Sequence, residues 1–123
     1  KALGGGMRQA GVIAAAGIVA LEKGVENLRN DHRNAKTIAK VLSKTASGLE
    51  IDVAAVETNM VYATIKAEAM GAVGGAAGLV AKLKGKGILI DEVAKNRVRI
   101  VTHHQISAEE CERLIEEVEN IMA

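Results

Sequence analysis

Tryptophan, phenylalanine and proline are absent from this 123-residue chain, cysteine and tyrosine occur once each, and the formal net charge is only +1. A nucleic-acid-binding domain ordinarily presents a basic face and aromatic rings for base stacking, so near-neutral charge and one tyrosine, Tyr62, argue against it. The lone cysteine, Cys111, excludes an internal disulfide and points to a reducing, cytoplasmic compartment rather than secretion. Without proline, the breaks between elements fall to glycine and polar turns. The apolar stretch from Ala10 to Leu21 is shorter than the ~20 residues a bilayer span needs. It also lacks the charged lead and cleavage pattern of a signal peptide. This much chain makes one domain, enough to bury a core but small for an enzyme with a cofactor cleft. It begins with lysine rather than methionine, as a processed or excised chain would.

Glycine is what the sequence has in quantity, thirteen residues, and Gly4-Gly5-Gly6 leads through Met7-Arg8-Gln9 into an alanine-rich segment. The pattern predicts a first helix from Met7 to Lys23, apolar nearly all round, buried, and in need of cover on several sides. Gly24 is expected to break it. A second helix follows from about Glu26 to Lys44, with Leu28, His32, Ala35, Ala39 and Leu42 on one face. Short β-prone runs come next, at Glu50–Val53 and Met60–Ile65. Gly71–Gly78 reads as a mobile Gly/Ala-rich loop before a helix that Gly85 and Gly87 end. Two further strands, Ile88–Asp91 and Arg97–Thr102, join at a turn near Lys95-Asn96. Ser107 and Glu110 form a capping box for a last helix whose Cys111, Leu114, Ile115, Val118, Ile121 and Met122 share a face. The economical solution is an α+β fold, a small sheet with helices on one face, preceded by the long buried helix.

Two features carry chemistry. Glycines before a helix N-terminus let an anion approach bare backbone amides, the helix dipole adds to them, and Arg8 supplies a cationic fork. The plain alternative is a tight turn holding no ligand. The run is not a P-loop, since no Lys-Ser or Lys-Thr pair follows at the required spacing. Gln9 also stands where a dinucleotide fingerprint has its third glycine. The second feature is Arg99, charged within the apolar strand Val98-Arg99-Ile100. It must point outward or be buried against an anion, because unpaired burial of a guanidinium is very costly. Arg97 shares its face and reads as surface. Adjacent His103 and His104 point to opposite faces of a strand and have no further ligand at metal spacing, so no metal site is expected. His32 reads as a core or interface histidine. Cys111 is core by its helical phase and no nucleophile.

The segment Lys1 to Gly11, with Gly-Gly-Gly-Met-Arg-Gln at its centre, closely resembles one in low-specificity threonine aldolases. The resemblance continues in order through Ala14-Ala15-Ala16-Gly17, Asp31-His32-Arg33-Asn34-Ala35, Thr58-Asn59-Met60 and Val98-Arg99-Ile100-Val101-Thr102-His103. It implies a pyridoxal-phosphate enzyme of fold type I that splits threonine or allo-threonine into glycine and acetaldehyde. Residues 1–24 would then end the large cofactor-binding domain, and 25–123 would form the C-terminal small domain. The resemblance assigns Arg99 to the substrate carboxylate and places Arg8, Lys1, Gly5 and Gly6 at or near the cofactor phosphate. It also implies a homotetramer. The family attaches its cofactor through a lysine in a Ser-Lys-Gly segment upstream of the glycine run, a position before Lys1. The 123 residues alone are therefore expected to be inactive, with no catalytic residue of their own. Two alternatives stay open: a related β-eliminating lyase with the same clamp, and a non-enzymatic α+β amino-acid-binding or dimerisation module.

Overall fold

The computed structural model describes residues 4–123, so Lys1 lies outside the described residues. The described residues form five α-helices and four strands: α1 Ala10–Val19, α2 Leu28–Thr45, β1 Leu49–Glu50, β2 Met60–Ile65, α3 Ala67–Val73, α4 Gly75–Gly85, β3 Asp91–Ala94, β4 Arg97–Val101 and α5 Ala108–Met122. The strands form one antiparallel sheet in the order β1-β2-β4-β3. Alternation sets which face each residue takes. Val61, Ala63 and Ile65 of β2, with Val98 and Ile100 of β4, turn inward and are buried. Against them pack Ile38 and Leu42 of α2, Leu79 and Leu83 of α4, and Leu114 and Val118 of α5. Fully burying an aliphatic side chain of this size contributes about 1.5–3 kcal/mol. The opposite sheet face has no helix on it, and Met60, Tyr62 and Val101 are more than a third exposed there.

The first helix is the largest departure from expectation. α1 begins at Ala10 rather than Met7, and none of its residues is buried. Val12, Ile13, Ile18, Val19 and Leu21 are all more than half exposed, and no described residue before Asp31 is buried. A helix apolar on every side has no preferred face to turn inward, and the single core of this chain is already closed by α2, α4 and α5. Gly24 does not break the helical path either. It closes a π-helical turn, Ala20–Gly24, which passes through the 3-10 turn Val25–Asn27 into α2.

Four smaller corrections have local causes. The buried stripe of α2 is Asp31, Asn34, Ala35, Ile38, Ala39 and Leu42, so His32 lies on the exposed side and Leu28 is 47% exposed. The predicted strand Glu50–Val53 shrinks to Leu49–Glu50, because Asp52 Oδ1 accepts from the amides of Ala54 and Ala55 and turns the chain away. Gly71–Gly78 is not a loop: α3 ends at Gly74 in the left-handed region, φ +82°, and α4 starts at once. The third strand pairs at Asp91–Ala94 instead of Ile88–Asp91. The two-residue turn at Lys95-Asn96 is as expected, and it is tied down on both sides. The Ala76 amide donates to Lys95 O at 3.0 Å and the Ile65 amide to Asn96 O at 2.7 Å.

Candidate functional site

β4 lies between β2 and β3, and because Val98 and Ile100 face the helices, Arg97, Arg99 and Val101 project from the open face. Arg99 stands opposite Tyr62 on one side and Asp91 on the other. Its Nη2 donates to Asp91 Oδ2 at 2.6 Å, with the two side chains 36% and 57% exposed. That hydrogen bond, reinforced by Tyr62 and by the charge of Asp91, raises the Arg99 pKa further above its ordinary value. Arg99 Nε is shielded from solvent and has no hydrogen-bond partner among the described residues. Of the two placements left open by the sequence, the structure shows the outward one, with an anion supplied by the neighbouring strand. Arg97, exposed as expected, lays its guanidinium 4.7 Å from the centroid of the Tyr62 ring.

The end of this strand is locked to α2. Thr102 continues the inward phase of Val98 and Ile100 and is fully buried; its Oγ1 donates to Asp31 O at 2.7 Å. Its amide donates to Asn59 O at 3.0 Å, and Asn59 Nδ2 donates back to Thr102 O at 2.7 Å. Asn59 is therefore a clasp between the start of β2 and the end of β4. Lys36 fixes the segment leading into β2, with Nζ donating to Val53 O at 2.7 Å and Val56 O at 3.0 Å. Sequence reasoning gave neither Thr102 nor Lys36 a role. Only Thr102 left a signal, a hydroxyl at an inward strand position. Beside the clasps, a shallow cavity of about 210 Å³ opens between Glu50, Asp52, Met60, Tyr62, Thr64 and Arg97.

Among the described residues the glycine run makes no hydrogen bond or ion pair to this face. Gly4 has φ +87°, a conformation that favours glycine, and a Cβ added at Gly5 or Gly6 would meet nothing within 4 Å. Arg8 is exposed and sits before the Gln9 N-cap rather than in the first helical turn. The N-terminal amides of α1 have no side-chain cap and no acidic residue in the first turn. That donor set fits a phosphate. No hydrogen bond or ion pair among the described residues joins Arg8 to Arg99. His103 and His104 are exposed, and His103 Nδ1 accepts from the Gln105 amide at 3.3 Å. No group of three or more His, Cys, Asp or Glu residues that could hold a metal occurs among the described residues. No described helix is long and apolar enough to cross a membrane. Cys111 is buried, and desolvation, with Glu110 and Glu112 adding, pushes its thiol pKa up.

Residues 1–67, more than half of the chain, match the profile of the beta-eliminating lyase family, and the chain belongs to that family. Individual relatives are more specific. The chain is 41% identical over 121 residues to a probable low-specificity L-threonine aldolase 2 of Arabidopsis thaliana, covering 98% of this chain and 33% of the relative. It is 43% identical over 107 residues to low-specificity L-threonine aldolase 1 of the same plant, covering 87% and 29%. With the low specificity L-threonine aldolase of Escherichia coli K12 it shares 39% identity over 110 residues, 89% of this chain and 29% of the relative. The chain thus spans about a third or less of the length of these relatives.

Proposed function

We propose that the chain forms part of a pyridoxal-phosphate-dependent lyase that cleaves L-threonine or L-allo-threonine into glycine and acetaldehyde. The observation that carries this reading is Arg99. Its guanidinium is held in one direction on an otherwise uncovered sheet face, inside a chain 39–43% identical to three named aldolases. In this role Arg99 takes the α-carboxylate of the β-hydroxy amino acid in a bidentate pair and so fixes the orientation of the bond to be broken. The amides at the start of α1, Gly5, Gly6 and Arg8 hold the cofactor phosphate. When bound, pyridoxal phosphate supplies an electron sink for the carbanion left at the α-carbon. Thr102 and Asn59 keep β4 in register behind Arg99. The uncovered apolar surface of α1 supports burial against the large domain or another subunit of a homotetramer.

The test is Arg99→Lys in the intact, cofactor-loaded protein. Lysine keeps the charge and loses the fork, so kcat/KM for threonine cleavage should fall by roughly 30- to 1,000-fold while bound cofactor is retained. Near-parental turnover and glycine affinity would show that Arg99 is only an outward strand residue.

A further inference from the structure

We propose that Asp91 is a positioning residue that presets the Arg99 guanidinium for a substrate carboxylate. The inference rests on the reading of Arg99 given above and goes beyond it. Asp91 stands directly opposite Arg99 in the β3–β4 ladder, and its Oδ2 takes one hydrogen bond from Nη2 at 2.6 Å. A guanidinium has five N–H donors. Tyr62, opposite on β2, is the other polar neighbour of Arg99, and among the described residues neither Nη1 nor the second hydrogen of Nη2 makes a hydrogen bond, which leaves them for a second carboxylate. Nε offers no such edge to a ligand arriving from solvent, because it is shielded. The accessible fork is the Nη1–Nη2 edge, and Asp91 fixes where that edge points.

The platform under Asp91 is itself held. The hairpin that carries it is tied to α4 through the Ala76 amide on Lys95 O and to β2 through the Ile65 amide on Asn96 O. A long arginine side chain on an open sheet face would otherwise sample many rotamers, and ordering it at the moment of binding weakens affinity. Anchoring the guanidinium beforehand removes that cost. An ion pair this exposed contributes little to folding, so the effect belongs to binding rather than to stability.

The experiment titrates the intact, pyridoxal-phosphate-loaded protein with glycine, followed by cofactor absorbance, alongside kcat and KM for threonine. Asp91→Ala should weaken glycine binding by roughly five- to twentyfold and raise KM more than it lowers kcat, with the thermal midpoint and cofactor content nearly unchanged. Asp91→Asn should fall between Ala and parent, and Asp91→Glu should recover most of the affinity. In an Arg99→Lys background, Asp91→Ala should change glycine affinity less than about twofold, because the group it positions is gone. If Asp91→Ala binds glycine as tightly as the parent, or more tightly, the inference is overturned; tighter binding would make Asp91 a competitor for the site. If Arg99→Lys weakens glycine binding and Asp91→Ala does not, only the role of Asp91 fails. If Arg99→Lys leaves glycine affinity intact, the carboxylate reading fails and the role of Asp91 with it.

Discussion

At the residue scale, polar groups at inward positions help to organise the fold, and they are the ones an apolar pattern hides. Placing His32 on the core face of α2 followed from counting apolar residues, yet the buried positions include Asp31, whose Oδ1 has no partner among the described residues and whose backbone carbonyl is the bonded group, and Asn34, whose side-chain amide is bonded far along the chain. Asp31 O receives the Thr102 hydroxyl, and Asn34 Nδ2 donates to Ile106 O at 3.1 Å. Arg99 was legible as a charge out of place in an apolar strand, but its pairing with Asp91 depends on a β3 register that the sequence placed three residues early. Cys111 gives a test at this scale. Burial raises its thiol pKa above the ordinary value of about 8.5, so the folded chain keeps the proton at pH values where the unfolded chain releases it. The sign follows directly: this contribution to stability is fully present below the unfolded pKa and is lost as pH rises toward the folded one. The denaturation midpoint of the parent should therefore fall more steeply between pH 7.5 and about 10 than that of Cys111→Ala. Parallel pH profiles for the two proteins would mean that Cys111 titrates normally.

At the element scale, α5 and β2 were readable because local and tertiary signals agree. Ser107 Oγ accepts from the Glu110 amide at 3.2 Å and Glu110 Oε2 from the Ser107 amide at 2.8 Å, the capping box that the spacing predicts. The strict alternation of β2 matches one covered and one open sheet face. The Gly/Ala-rich stretch was misread because low helix propensity is there a packing device. α3 and α4 meet at Gly74, and a Cβ on Gly78 would collide with the backbone carbonyl of Val73. Glycine at 78 thus permits the close crossing rather than marking a loop. Gly78→Ala, favourable by helix propensity alone, should instead destabilise the protein by roughly 2–3 kcal/mol, measured by urea denaturation. A neutral or stabilising outcome would show that the α3–α4 junction can open without cost.

At the scale of the whole molecule, one closed core and one uncovered helix stand side by side. The sequence made α1 apolar all round, which is legible; where its cover comes from is not, because the core of this chain is complete without it. The open sheet face tells the same story on the other side, where Met60, Tyr62, Val101 and the paired Arg99 face no helix among the described residues. Both surfaces are uncovered by the described residues, and the proposed function would have them completed against a cofactor-bearing partner surface. The most direct measurement is a crystal structure of the intact, pyridoxal-phosphate-loaded protein with glycine bound. The two Nη atoms of Arg99 should then lie about 2.7–2.9 Å from the two glycine carboxylate oxygens, with Asp91 still on Nη2. A glycine carboxylate held by other groups, with Arg99 facing solvent beside Asp91, would contradict the account.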